Sequence, residues 1–344
     1  MLANIWNTVY PILIAILFFE LIIIIHEGGH FVAARLMKIK VNEFSIGMGP
    51  KIFQFTKNDT KFTLRLILFG GYCAMEGEDG ESDDKNSFAN KKVIQRIFVV
   101  VNGAIMNLVL GVLIILGMVC SQELVGIPVI ADFDKDAVSN AYLQEGDRIL
   151  AIDGMRVYTT TDISTGFSRS EDGNAEFLIK RDGKTKTVNV KFNTQKIDGK
   201  NYIDMDFYLY GVKKTVPNVL KETGREFMSF CRMIFLSLHD LIVGRYGLSD
   251  MSGPVGAVSV VSGAVKMSLT STFRIMALLT INIGLFNLFP FPALDGWRLF
   301  ILLYEGIFRK KLPQKFEWMI NAIGLAVLLG LMCLVTFSDI TKLF

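Results

Sequence analysis

Five residues, His26-Glu27-Gly28-Gly29-His30, carry the clearest chemistry in the sequence. On a helix, residues four apart share a face, so both imidazoles can reach one ion. Neutral imidazole is a favoured zinc ligand. The carboxylate between them stands beside the metal, where it can take a proton from water that the ion has acidified and return it to a leaving amine. That is the chemistry of metal-assisted peptide hydrolysis. The chain holds only three histidines, so a chance HExxH is rare in it. The third, His239, reads as a polar-face residue of a helix and not as a ligand.

A catalytic zinc needs a third protein ligand and one open position. The best candidate is Asp295, in the stretch NLFPFPALDG at 287–296, which Pro290 and Pro292 keep out of regular helix. Asn287, at the head of that stretch, can donate and accept main-chain hydrogen bonds beside the metal. Glu20 is a further acid in the first apolar run, seven residues before Glu27 and about 10 Å along the same face. It reads as interior-facing, on a proton or water path.

Something must carry these polar groups to one place, and composition says what. The chain has 344 residues, 51% of them hydrophobic, and a mean hydropathy of +0.41. Four stretches reach the roughly 20 apolar residues that a bilayer-spanning helix needs: 5–25, 93–120, 273–289 and 318–337. The N-terminal run has no basic residue before Arg35, unlike a cleaved signal peptide, so it reads as a retained span. Arg35, Lys38, Lys40, Lys91, Lys92 and Arg96 flank the first loop, and Arg298, Arg309, Lys310, Lys311 and Lys315 the third. The excess of positive charge puts both loops, and the HEGGH end, on the cytoplasmic side. The net charge of +3 gives no reason to expect nucleic acid. The four cysteines are far apart and form no CxxC pair, so they read as small apolar residues.

Between the first two spans, KIFQFT and KFTLRLIL alternate around Asn58-Asp59 as a β-hairpin over 51–68. FGGYC follows, with a turn at Gly70-Gly71, then the acidic run EGEDGESDD, a solvated loop. Residues 121–212 form a water-soluble β domain with strands at GIPVIADF, DRILAIDG, AEFLIKR, KTKTVNVKF and YIDMDFYL. Arg181-Asp182-Gly183-Lys184 is a hairpin turn in it. Residues 226–243 put their apolar side chains on one helical face, and 213–272 is expected to be amphipathic, interfacial linker helix. The expected division is therefore 1–120, 121–212, 213–272 and 273–344. A helical substrate must be held extended to be cut, and an exposed strand edge can do that. The hairpin and its Gly70-Gly71 end are candidates.

HEGGH, SIGMGP at 45–50, FGGYC at 69–73 and NLFPFPALDG, in that order, resemble the site-2 protease family of intramembrane metalloproteases, with the closest look to its bacterial RseP group. The resemblance implies one zinc ion held by His26, His30 and Asp295, and Glu27 as catalytic base. It puts Asn287, the Asn before the two prolines, in substrate binding; Pro290, Pro292, Gly70 and Gly71 are the further substrate-binding candidates. It implies a multi-pass protein of the bacterial cytoplasmic membrane, with the hairpin as a membrane-associated β loop. AYLQEGDRILAIDG at 141–154 is similar to the signature of bacterial PDZ modules, implying one extracytoplasmic PDZ-like domain. The implied substrates are single-span membrane proteins, of the anti-sigma-factor or remnant-signal-peptide type, already trimmed by another protease. NGAIMN at 102–107 stands where many relatives carry Gly-Pro before the Asn, and is expected to affect helix shape and not chemistry. The competing reading is a non-catalytic metal transporter or substrate adaptor. A transporter would spread polar residues through several spans, often with internal repeats. Here they gather at one end.

Overall fold

In the computed structural model, residues 2–342 are described apart from 79, 81, 171–172, 198–199, 246, 248–250 and 311. Asp79 and Glu81 of the acidic run, and Lys311, thus lie outside the described residues. The chain divides into two compact units, Met1–Ile114 with Leu238–Phe344, and Ile115–Ser237.

The first unit is built on apolar helices. Helix α1 runs over Leu2–Leu36. At 1.5 Å per residue its 35 residues reach about 52 Å, well beyond a hydrocarbon core of about 30 Å. HEGGH therefore lies inside a continuous helix, where the sequence placed it just past the end of a span. Two long strands follow, β1 (Val41–Lys57) and β2 (Thr60–Met75). Lys57 pairs with Thr60 across Asn58 and Asp59, whose φ values of 50° and 61° make the tight turn. The pairing extends far beyond 51–68. Both strands bend near Gly47, Gly49 and Gly70, all at positive φ. Ser45 and Ile46 thus pair with Thr63 and Leu64 on one side and with Tyr72 and Gly71 on the other. Arg65 pins the bend, donating to Ser45 Oγ at 2.9 Å, Gly49 O at 2.8 Å and Glu43 Oε1 at 3.0 Å. The far end of the hairpin exposes Met48, Ile52, Phe53, Leu66 and Ile67.

Helix α2 (Val93–Ser121) is the second apolar helix. In the second unit, β3 (Leu124–Phe133), β4 (Arg148–Ile152), β5 (Met155–Arg156), helix α3 (Thr160–Phe167), β6 (Asn174–Arg181), β7 (Lys184–Lys191), β8 (Thr194–Ile197), β9 (Lys200–Ile203) and β10 (Phe207–Lys213) follow in turn. The main sheet has the order β10-β3-β4-β6-β7, with β5 beside β4, and β8-β9 pair separately. Its core is Ile130, Ile149, Ile152, Ile163, Phe177, Ile179 and Phe207 with their neighbours. The run YIDMDFYL, read as one strand, divides between β9 and β10. At the break, the Asp206 carboxylate accepts from Val138 N at 2.7 Å and Ser139 N at 3.0 Å, which bends the chain away from the ladder. Helix α3 opens on a capping box between Thr159 and Asp162.

Helix α4 (Val216–Ile242) is the amphipathic segment, longer toward its N-terminus than 226–243. The first unit resumes with α5 (Pro254–Met267), α6 (Leu269–Asn287), α7 (Asp295–Phe308) and α8 (Gln314–Thr341). Among the described residues, four helices are long and apolar enough to cross a membrane: α1 over Val9–Leu36, α2, α6 and α8. They coincide with the four stretches read from the sequence. Their outward side chains, among them Leu13, Leu17, Leu113, Leu325 and Leu329, are exposed, as lipid-facing residues must be. The start of α5 is capped from another helix: Asp339 of α8 accepts the Gly256 N–H at 2.8 Å.

Candidate active site

HEGGH sits on the face of α1 that turns toward α2 and the β-hairpin. Gly29 is backed directly onto α2, where a Cβ would meet Asn102 O at 2.5 Å. Gly103 faces the His30 ring, and any side chain there would collide with it. The small residues on each helix therefore let the backbones close up around the imidazoles. His30 Nδ1 donates to Val99 O at 2.9 Å, which in the neutral ring leaves the Nε2 lone pair free for a metal ion.

The third residue comes from 265 positions later in the chain. Helix α6 ends at Asn287, and the chain turns through Pro290 and Pro292 before α7 begins at Asp295. Ala293 takes a positive φ of 73° and donates its N–H to Asn321 Oδ1 of α8 at 3.2 Å. Gly324 of α8 packs flat on Pro292, and its Cβ would meet Pro292 O at 2.8 Å. Gly296 lies so close to the Leu288 and Phe289 backbone that a side chain there would overlap it. The segment is thus folded back on itself, and the first residue of α7 is aimed at α1.

His26 Nε2 and Asp295 Oδ2 are 3.0 Å apart, His30 Nε2 and Asp295 Oδ2 3.1 Å, and the two imidazole nitrogens 3.2 Å. Ligand atoms set at about 2.0–2.1 Å around a tetrahedral ion stand about 3.3 Å from one another, so this triangle has the size of one face of a zinc site. Two nitrogen lone pairs and a carboxylate oxygen repel one another at such distances unless a cation or protons lie among them, and the donor set is one that zinc favours. Burial alone would raise the Asp295 carboxyl, but the two imidazoles against it hold it below the usual range. His26 and His30 are buried.

Glu27 lies on the same turn of α1, and strand β2 passes beside it: a Cβ on Gly71 would come 3.7 Å from Glu27 Cγ and 2.8 Å from Ser45 O. Gly70, at φ 110°, donates its N–H to Glu20 Oε2 at 3.2 Å. Asn287 closes α6 at the head of the proline segment, Pro290 is exposed and Pro292 is half-buried against α8. His239 is exposed on α4 beside Asp240 and is not part of the cluster. All four cysteines are free. Sequence reasoning missed the part of α2 in the site. Gly103 and Asn107, four apart on an apolar helix, were the available signal.

Comparison with known proteins decides the family. The model of Peptidase family M50 matches residues 14–331. The chain belongs to Peptidase family M50, the site-2 proteases. A putative zinc metalloprotease of Clostridium perfringens is 37% identical over 332 residues, 96% of this chain and 98% of that protein. The regulator of sigma-W protease RasP of Bacillus subtilis is 28% identical over 416 residues, 96% of this chain and 98% of its own. The zinc metalloprotease RasP of Shouchella clausii is 28% identical over 408 residues, covering 95% of this chain and 97% of itself. As a site-2 protease the chain is a zinc metalloprotease, and its four apolar helices make it a multi-pass bacterial membrane protein with a sheet-containing domain.

Proposed function

We propose that this site-2 protease cuts the membrane-spanning segments of single-span proteins, with His26, His30 and Asp295 holding the zinc and Glu27 moving the proton. The observation that carries the proposal is the meeting of the three ligand atoms within 3.2 Å of one another, beside Glu27, in a bundle of apolar helices. When bound there, zinc supplies Lewis acidity, polarising the scissile carbonyl and acidifying water. Glu27 takes the proton of the attacking water and delivers it to the leaving amine. Asp295 contributes one negative charge to the ligand set. Asn287, Pro290 and Pro292 line the approach, and the 70–71 edge of β2 holds the substrate backbone extended, taking over the hydrogen bonds its helix gives up.

The active-site end faces the cytoplasm, as the Lys and Arg placement requires. The 121–212 region is a PDZ-like domain on the outer side, screening substrates that another protease has already trimmed, and 213–272 joins it to the membrane part along the interface. Substrates of the anti-sigma-factor type fit the name of the Bacillus subtilis relative, a regulator of sigma-W. Remnant signal peptides share the same single-span form.

The test is co-expression of candidate single-span proteins with the wild type and with Glu27→Gln in membranes. Cleavage by the wild type alone is expected. Equal cleavage by both removes Glu27 from the chemistry.

A further inference from the structure

The two ligating imidazoles are not equally supported, and the difference points to α2. His30 Nδ1 has the Val99 carbonyl at 2.9 Å. His26 Nδ1 meets the side-chain amide nitrogen of Asn107 at 3.4 Å. Asn107 is fully buried, and its Oδ1 has no hydrogen-bond partner among the described residues. The amide nitrogen is thus the end turned toward the ring.

The metal decides which end must face the ring. An imidazole that binds an ion through Nε2 carries its proton on Nδ1, so it needs an acceptor there. An amide nitrogen is a donor, and the amide oxygen is an acceptor. The two ends of the amide are alike in shape, and a half-turn about the Cβ–Cγ bond exchanges them. That turn sets Oδ1 against His26 Nδ1.

We propose that Asn107 is a positioning residue for the zinc site: its Oδ1 accepts the His26 Nδ1–H and fixes that ring's tautomer and plane. Helix α2 then supplies the outer hydrogen bond to both imidazoles, through a backbone carbonyl for His30 and a side chain for His26. Gly103, one turn earlier, leaves room for the His30 ring. The 102–107 segment, assigned from the sequence to helix shape, is thereby part of the chemistry. Thr280 of α6 packs on the same turn, its Oγ1 3.5 Å from Asn107 O, so Asn107 is held from a third helix.

This inference rests on His26 being a ligand, and the experiment separates the two. Zinc affinity is measured by chelator competition on the full chain, purified in detergent, for the wild type, Asn107→Leu, Asn107→Asp and His26→Ala. Asn107→Leu, nearly isosteric but without an acceptor, is expected to weaken zinc binding about 10–100-fold. Asn107→Asp, which keeps the acceptor, is expected to restore binding to near the wild-type value. Should Asn107→Leu fail to fold, Asn107→Ala is scored in its place. Wild-type affinity in a folded Leu or Ala variant, or equal losses in Leu and Asp, overturns the inference, provided His26→Ala is depleted of zinc. Undiminished zinc in His26→Ala overturns the ligand assignment itself, and this inference with it.

Discussion

The Glu20 carboxylate of α1 accepts the Gly70 N–H of β2 at 3.2 Å, about two helical turns before Glu27. The sequence suggested a proton or water path for this acid. The structure gives it a mechanical partner. Gly70 sits in the irregular stretch between the Met48–Ile67 and Ile46–Gly71 pairs, where its amide has left the ladder. Glu20 takes up that amide and ties the strand to the catalytic helix. A hydrogen bond to a charged group contributes about 1.5–3 kcal/mol. Glu20→Ala is expected to raise amide exchange at residues 68–72 and to lower kcat/KM by about tenfold, with zinc content unchanged. Glu20→Gln, which keeps an acceptor, should lie between. Unchanged exchange in Glu20→Ala would remove the tie.

Asp295→Asn keeps the shape of the third ligand and removes its charge. Loss of one ligand from a three-ligand site should deplete zinc and abolish cleavage together. Metal analysis of the purified variant beside its cleavage assay checks this, and full zinc content with normal cleavage would take Asp295 out of the site.

Gly324 lies about three helical turns into α8, far along the chain from any ligand, yet it touches Pro292. Gly324→Val should push the proline segment away from α8 and displace Asp295 from the imidazoles. The expected outcome is a cleavage rate down at least tenfold in a protein that still assembles in membranes. Gly330, with open space around its Cβ position, provides the control: Gly330→Ala should be neutral.

Glu222 on α4 is buried near Glu226, and Thr161 of α3 donates to Glu226 at 3.0 Å. Burial, and then the neighbouring Glu226 charge, push the Glu222 carboxyl up from 4.5 to about 7. The folded form therefore binds the proton more tightly than the unfolded form. Its contribution to stability is full below about pH 4.5 and is lost as pH rises through 7. Protection factors in α3 and α4, with the intrinsic pH dependence of amide exchange divided out, should be higher at pH 5 than at pH 8, and Glu222→Gln should flatten the difference. A slope of the same size in Glu222→Gln would place its origin elsewhere.

Much of this was readable from residue order. The four apolar helices announce themselves by length and hydropathy, because a bilayer demands both. His26 and His30 needed only the four-residue period of a helix. Asp295 needed more, since nothing local joins position 30 to position 295. Its assignment leaned on the prolines and on the resemblance, and the structure then supplied the 3.0 and 3.1 Å separations. What stayed hidden is what depends on packing between distant segments. Asn107 and Gly103 look like ordinary helix residues until α1 lies against them. Helix α7 was missed because the two prolines before it advertise irregular chain. The double bend of the hairpin was missed because an alternating pattern fixes which side faces in, and not where a ladder folds across itself.

That bend has a consequence for what can be cut. Ser45 and Ile46 already have neighbours on both flanks, while Tyr72 and its surroundings have a ladder neighbour on one flank only. At the edge beside Glu27, a guest chain would join along that outer rim, for the few residues the rim is long. Selectivity should then follow how readily a short piece of the guest gives up its coil, more than which side chains it carries. Gly or Pro planted in the middle of an otherwise resistant spanning segment should make it vulnerable.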